Sequence, residues 1–219
     1  SVGQWSYAGE KETAERLAKL AGVFTSGKVS VELQVEKYSA FPVGGTIKLL
    51  HVEEGEDVPF GQLLAELDGL RKQGWRDMVF IVDDNFIGKK AVLKKELLPA
   101  MIQWMEQKNH PFTFNTQASI NLADDEELIR LMVRAGFDCV FIGIESPNES
   151  SLTECHKTQN TGRDIIATVK KIQRFGMQVQ AGFIVGFDSD KPTVFDRMIT
   201  LIQDSGVVMA MVGLLNAPR

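Results

Sequence analysis

Cysteine is scarce: the 219 residues include two, Cys139 and Cys155. That excludes a disulfide framework, a four-cysteine zinc site and a three-thiolate iron–sulfur site built by this chain alone. The three histidines, His51, His110 and His156, include no pair at metal-ligand spacing, so no metal centre is read from them. No GxSxG elbow is present and neither cysteine has a recognisable histidine partner motif, so no catalytic nucleophile is assigned. Positive charge is also short, with 24 Lys and Arg against 29 Asp and Glu and no basic run longer than a pair. Sequence-independent phosphate binding has no footprint here, and nucleic acid is not expected as a partner. No apolar run approaches the roughly 20 residues that cross a bilayer. The opening SVGQWSYAGEKE lacks the basic and apolar regions of a signal peptide. No membrane partner is expected, and the chain reads as cytoplasmic.

What is present is a globular composition, 44% hydrophobic and 24% charged, enough for one large or two small domains. From about Met78 onward, short apolar runs alternate with longer amphipathic ones. The apolar runs are MVFIV (78–82), FTF (112–114), CVFIGI (139–144), VQAGFIVGF (179–187) and VVMAMVGLL (207–215). Rich in Val, Ile and Phe and without strict alternation, they read as strands buried on both faces. Between them, residues 89–108 have helical spacing that Pro99 should kink or split. Asp124 opens a further helix that ends at Gly136, and residues 161–176 and 190–206 also end in glycine. Strand–helix alternation of this kind predicts an α/β fold, a partial (β/α) barrel or open twisted sheet of about five parallel strands. A leucine stripe, Leu63, Leu64, Leu67 and Leu70, predicts a helix before the first strand, so the α/β part begins near Phe60.

The first sixty residues differ in pattern. Residues 10–21 form a short amphipathic stretch closed by Gly22, and KVSVELQVE (28–36) alternates with period two, as a strand with one wet face does. FPVGGTIKLLHVEEGEDVPFGQ then adds a Gly-Gly turn, a short strand and a second turn. The division expected is 1–61, a small helix with a β-rich addition, and 62–219, the α/β part.

In parallel α/β proteins a small-molecule ligand sits at the carboxyl ends of the strands, where loops and helix N-termini converge. Past each apolar run stand Asp83-Asp84-Asn85, Asn115-Thr116-Gln117, Glu145-Ser146, Asp188 and Asn216. Turns and helix caps favour Asp and Asn for their own reasons. Four carboxylates gathered at one rim are nonetheless costly unless something binds them. Two chemistries fit: Asp83, Asp84, Glu145 and Asp188 holding magnesium, or carboxylates accepting hydrogen bonds from a nucleoside-like cofactor. Gly143, Gly182 and Gly186 lie within or at the ends of strands, where glycine signals either close packing or a ligand approaching the backbone.

FIVDDNFIG (80–88), TQASINLADDEEL (116–128), LMVRAGFDCVFIGIESPNESSL (131–152), TGRDII (161–166) and GFIVGFDSD (182–190) together resemble the radical S-adenosylmethionine proteins, in particular the subgroup with an upstream cobalamin-binding domain. The resemblance runs in order from about Gln62 to Asn216. It implies a partial barrel and S-adenosylmethionine as a possible cofactor. Glu145 would lie near the cofactor ribose, and the strand from Gly182 to Gly186 along its adenine. Asp84 and Asn85 would face the methionyl end or the substrate, with Gln117 lining the same cavity. The family also carries a four-iron four-sulfur cluster on a CxxxCxxC loop after its first strand. This sequence has no such loop.

FPVGGTIKLLHVEEGEDVPFGQLLAEL resembles, more faintly, the second half of a biotinyl or lipoyl carrier domain, with Gln34 where the modified lysine would stand. The two resemblances compete for Gln62 to Leu67, a strand in the carrier and a helix in the barrel. Leu, Ala, Glu and Gln all favour helix, so the helix is expected to win. A composite chain, natural or engineered, follows as an expectation, its carrier-like segment standing in place of the first β/α element. Radical chemistry by the chain alone is not expected, and at most residual S-adenosylmethionine binding is. The alternatives are the magnesium enzyme and a scaffold without a small-molecule function. An uncovered sheet edge would favour a homodimer.

Overall fold

The computed structural model describes residues 60–83 and 85–215. The chain divides between Glu56 and Asp57 into two units, and all the described residues lie in the second. The carrier-like segment falls outside them except at its end, where α1 (Phe60–Lys72) makes Gln62 to Leu67 helical. Leu67 and Leu70 of the predicted stripe are buried.

After β1 (Val79–Ile81) the chain passes through a turn and α2 (Lys90–Val92) into a widened turn, Leu93–Leu97, and then α3 (Leu98–Gln107). Pro99 explains the interruption. It has no N–H to donate, and its ring excludes the carbonyl one turn back, so the helix widens and Leu98 N–H donates to Leu93 C=O five residues earlier. Trp104 of α3 donates through Nε1 to Asp68 at 3.2 Å, tying α3 to α1.

β2 (Phe114–Gln117), α4 (Glu126–Ala135), β3 (Phe137–Glu145), α5 (Glu149–Glu154), α6 (Ile165–Arg174), β4 (Gln178–Val185), α7 (Val194–Ser205) and β5 (Met209–Leu214) complete the described chain. The five strands are parallel and lie in sequence order, β1-β2-β3-β4-β5. A sheet whose crossovers all step the same way places its helices on one face and curls like a barrel wall.

Burial follows that geometry. Val140, Ile142 and Ile144 of β3 and Val179, Ala181 and Phe183 of β4 are sealed on the helix side. Their alternates Phe141, Gly143, Glu145, Gln180, Gly182 and Ile184 are half-exposed on the other. The expectation of strands buried on both faces therefore holds for one face only. At β5 it fails: Val212 and Leu214 are 54% and 74% exposed, because no described element packs beyond this edge strand.

An aromatic cluster fills the helix side of the sheet at the β1–β3 end. Phe114 and Phe137 lie 5.4 Å apart, with Phe86 against Phe137 and Phe112 between Phe114 and Trp104. The third predicted helix begins later than its sequence suggests. Asp125, not Asp124, caps α4, accepting from Leu128 N–H at 3.1 Å. Asp124 is held instead by a two-pronged bond from Arg163, at 2.8 and 2.7 Å.

Candidate functional site

The half-exposed sheet face carries Gln117, Glu145 and Gly182 of the predicted site residues. Gly143 pairs with Gly182, and Gln117 with Phe141 and through it with Gln180. Two adjacent glycines leave bare backbone at the centre of the face, and their neighbours use the space. A Cβ on Gly182 would meet the Phe141 ring at 2.8 Å, and one on Gly143 would collide with the Glu145 carboxylate. Gly182 is thus accounted for by packing across the sheet, and Gly143 by the Glu145 side chain of its own strand. Gly186 follows β4 with φ +105°, a left-handed turn that glycine adopts without strain, and donates its N–H to Asp190 at 2.9 Å.

Glu145 ends β3 in an unusual state. Its φ is +69°, and its side chain, 12% exposed, folds over Gly143 and pairs with Lys157 Nζ at 2.9 Å. A non-glycine residue held at positive φ stores strain that local contacts must sustain. Asn160 supplies one such restraint, donating from Nδ2 to the carbonyls of Gly143 and Ile144 at 3.0 and 2.9 Å. Lys157 and Asn160 were missed in the sequence. They lie 12 and 15 residues beyond Glu145, past α5, where no local period connects them to the strand.

The remaining predicted residues separate. Gln117 is half-buried on the same face as Glu145. Asn85 is exposed and points back into the scaffold, its Oδ1 accepting from Ser119 N–H and Oγ–H at 3.1 and 3.3 Å. Asp83 accepts from Asn85 N–H at 2.9 Å, a turn role. Asp188 is exposed, and its N–H donates to Glu154. Asp84 and Asn216 lie outside the described residues. Among the described residues no group of three His, Cys, Asp or Glu side chains is placed to hold a metal ion.

On the face itself, Asn115 is buried beside Cys139 with no partner for its Oδ1. Asn115 stands four positions before the Gly143–Gly182 pair along the strands, so the acceptor beside that pair is the Glu145 carboxylate, which suits a ligand rich in donors, as ribose hydroxyls and an amino group are. S-adenosylmethionine therefore fits the groups present.

An iron–sulfur cluster does not. Cys139 is buried on β3, and burial pushes its thiol up to about 11, with Asp138 adding to the shift. Cys155 caps the end of α5, its thiol donating to Leu152 C=O at 3.6 Å. At pH 8 the thiolate fraction of Cys139 is about one in a thousand. Native protein treated with Ellman's reagent at that pH should react at Cys155 and leave Cys139 unlabelled until denaturant is added; equal labelling of both thiols in the native state would contradict this placement.

A curled, singly wound parallel sheet with helices on one face and polar groups at its strand ends defines the class of the partial β/α barrels. The sequence matches the radical SAM superfamily over residues 50–202, and the chain belongs to that family. It is 46% identical over 156 residues to an uncharacterized methyltransferase of Synechocystis sp., covering 71% of this chain and 29% of that protein. It is 34% identical over 157 residues to the hopanoid C-2 methylase of Rhodopseudomonas palustris, with the same two coverages, 71% and 29%. The chain thus spans less than a third of the length of these curated relatives. Its fold is shared with the radical S-adenosylmethionine methyltransferase TsrM from Kitasatospora setae, solved with cobalamin and a [4Fe-4S] cluster bound. There the TM-score is 0.61 at 18% identity, over 71% of this chain and 29% of that one. The cobalamin-dependent S-adenosylmethionine radical enzyme OxsB superposes with a TM-score of 0.56 at 16% identity, over 70% of this chain and 23% of its own.

No helix among the described residues is long and apolar enough to cross a membrane.

Proposed function

We propose that this chain is an S-adenosylmethionine-binding half-barrel of the cobalamin-associated branch of its family, unable to carry out radical chemistry by itself. The observation behind this reading is the Glu145 carboxylate held over Gly143 at the end of β3 while the chain's two cysteines stand elsewhere. Bound S-adenosylmethionine supplies an activated sulfonium centre. The chain's own residues bind and orient it: Glu145 accepts hydrogen bonds from the ribose, Gly182 to Gly186 lie along the adenine, and Gln117 lines the remainder. Lys157 is the positioning residue, fixing the Glu145 carboxylate through their ion pair.

Two of the family relatives matched are named as methyltransferase and methylase, which favours methyl transfer as the activity of the longer proteins. The test is calorimetric titration of S-adenosylmethionine into the iron-free chain. Micromolar binding that weakens about tenfold or more in Glu145→Gln is expected, a loss in the range of a buried charge-assisted hydrogen bond. Absence of heat up to millimolar ligand, or binding unchanged in the variant, would overturn the reading. The same preparation with a strong reductant should yield no 5′-deoxyadenosine.

A further inference from the structure

A second recess lies away from that face. It is a cavity of about 290 Å³ bordered by α5, the N-terminus of α6 and one side of α7. None of Asn85, Gln117, Glu145, Gly182 or Gly186 lines it. Its apolar side is made by Leu152, Ile165 and Leu201, all buried.

Its polar side is unusual in what is left unspent. Arg197 donates to Pro147 C=O at 2.6 Å and to Asn148 Oδ1, both neutral acceptors. Three of the five guanidinium N–H groups remain. No ion pair among the described residues includes Arg197, and Asp190 reaches it only through Asn148. Arg197 also sits in the first turn of α7, where the helix dipole disfavours a cation. Arg163, by contrast, has its charge paired with Asp124 and its Nε–H on Gln159 C=O.

Beside Arg197 in the cavity wall, the N–H groups of Ile165 and Ile166 precede the first intrahelical bond of α6, Thr168 N–H to Asp164 C=O at 3.0 Å. A carboxylate would satisfy these donors and the guanidinium together.

The same wall offers acceptors. Glu149 and Asp164 each commit one carboxylate oxygen to a backbone N–H, of Gly162 and Ala167 respectively, and keep the other. Asn160 is 1% exposed, and its Oδ1 has no partner although its Nδ2 has two. That is a buried acceptor for which no described residue supplies a donor.

We infer that this cavity binds a free aliphatic α-amino acid: carboxylate toward Arg197 and the start of α6, ammonium toward the acceptors, side chain against Leu152, Ile165 and Leu201. Neither a simple anion nor an amine would use both halves of the wall. The C-terminal residue of a peptide shares the carboxylate and side chain but has no ammonium group.

The probe is L-leucine, titrated calorimetrically into the full chain. 4-Methylpentanoate lacks its amino group and 3-methylbutylamine lacks its carboxylate. Saturable leucine binding is expected, with each truncated analogue weaker by at least about tenfold. Arg197→Gln should abolish it. That variant also loosens the Pro147–Asn148 turn, so Ile166→Trp is the companion: it fills the cavity and leaves the Arg197 bonds in place, and its thermal melt shows whether the fold is kept. Loss of leucine binding in a folded Ile166→Trp protein, with its response to S-adenosylmethionine unchanged, carries the inference. No heat with leucine, an analogue binding as well as leucine, or leucine binding that survives in Ile166→Trp overturns it.

Discussion

Gly136→Val should lower the unfolding free energy by about 4 kcal/mol, summing left-handed backbone strain of about 1–2 kcal/mol and core overpacking of about 1–3 kcal/mol. Gly136 closes α4 at φ +104° and opens directly into β3. Its carbonyl accepts from Phe114 N–H at 2.8 Å, so the backbone there cannot relax without breaking the start of the β2–β3 pairing. A Cβ at this position would meet Met105 Cε at 2.8 Å and the Phe114 ring at 3.4 Å. The methionine end can swing aside, but the ring is locked between Phe112 and Phe137. Gly176 is the internal control. It has nearly the same backbone, φ +97°, but a Cβ there would find its nearest neighbour, Val133, at 4.0 Å. Gly176→Val should therefore incur the strain alone, about 1–2 kcal/mol. Urea unfolding followed by circular dichroism separates the two. Equal midpoints for the two variants would show that packing at the end of α4 adds nothing to backbone strain.

Those helix ends were readable because their cause is local. Glycine before an apolar run stops a helix by its own dihedral freedom, and Gly136, Gly176 and Gly206 all adopt positive φ. Pro99 is equally local, and it split its helix as expected. Propensity also settled Gln62 to Leu67, where two family patterns disagreed. The choice between Asp124 and Asp125 as the cap was not readable. Either carboxylate can cap the helix, and what removes Asp124 is an arginine 39 residues away. The openness of one sheet face was hidden for another reason. Phe141 and Ile184 on the open face are as apolar as their buried alternates, so no period-two signal survives.

Of the site, Glu145 was visible because it ends a strand, whereas its state was not. Lys157, which neutralises it, and Asn160, which clamps the strand beneath it, arrive through a helix and a turn. Asn85 stands at a strand end, where an asparagine reads as a ligand group, and its Oδ1 ties one loop to the next. A signal for the second cavity was present and unread. Arg197 follows PTVFD at the start of a helix, the end that repels cations. A charge on the unfavourable end of a helix calls for a partner, and no acidic residue stands three or four positions from it.

The loop that shapes the end of β4 depends on one carboxylate. Asp190 accepts from Gly186 N–H at 2.9 Å, Phe187 N–H at 3.1 Å, Ser151 Oγ–H at 2.8 Å and Asn148 Nδ2–H at 3.4 Å. Burial alone would raise its pKa, but those hydrogen bonds outweigh it and hold the group below the ordinary carboxylate value. A group with a depressed folded pKa stabilises fully above its unfolded value, about 3.9, and loses that contribution as pH falls through the folded value. Asp190→Ala should therefore cost about 3 kcal/mol near neutral pH, because the Ser151 hydroxyl and two backbone N–H groups lose their acceptor. The deficit should shrink as the medium is acidified below the ordinary carboxylate range, where the parent protein protonates Asp190 and gives up the same bonds. Urea midpoints measured across that range check the sign. A deficit constant from neutral to acid would mean that the aspartate contributes packing and not charge. Because the loop continues directly from Gly182 to Gly186, the same substitution should also weaken S-adenosylmethionine binding if that strand lies along the adenine. Unchanged affinity in a variant that has lost the expected stability would place the adenine elsewhere on the sheet.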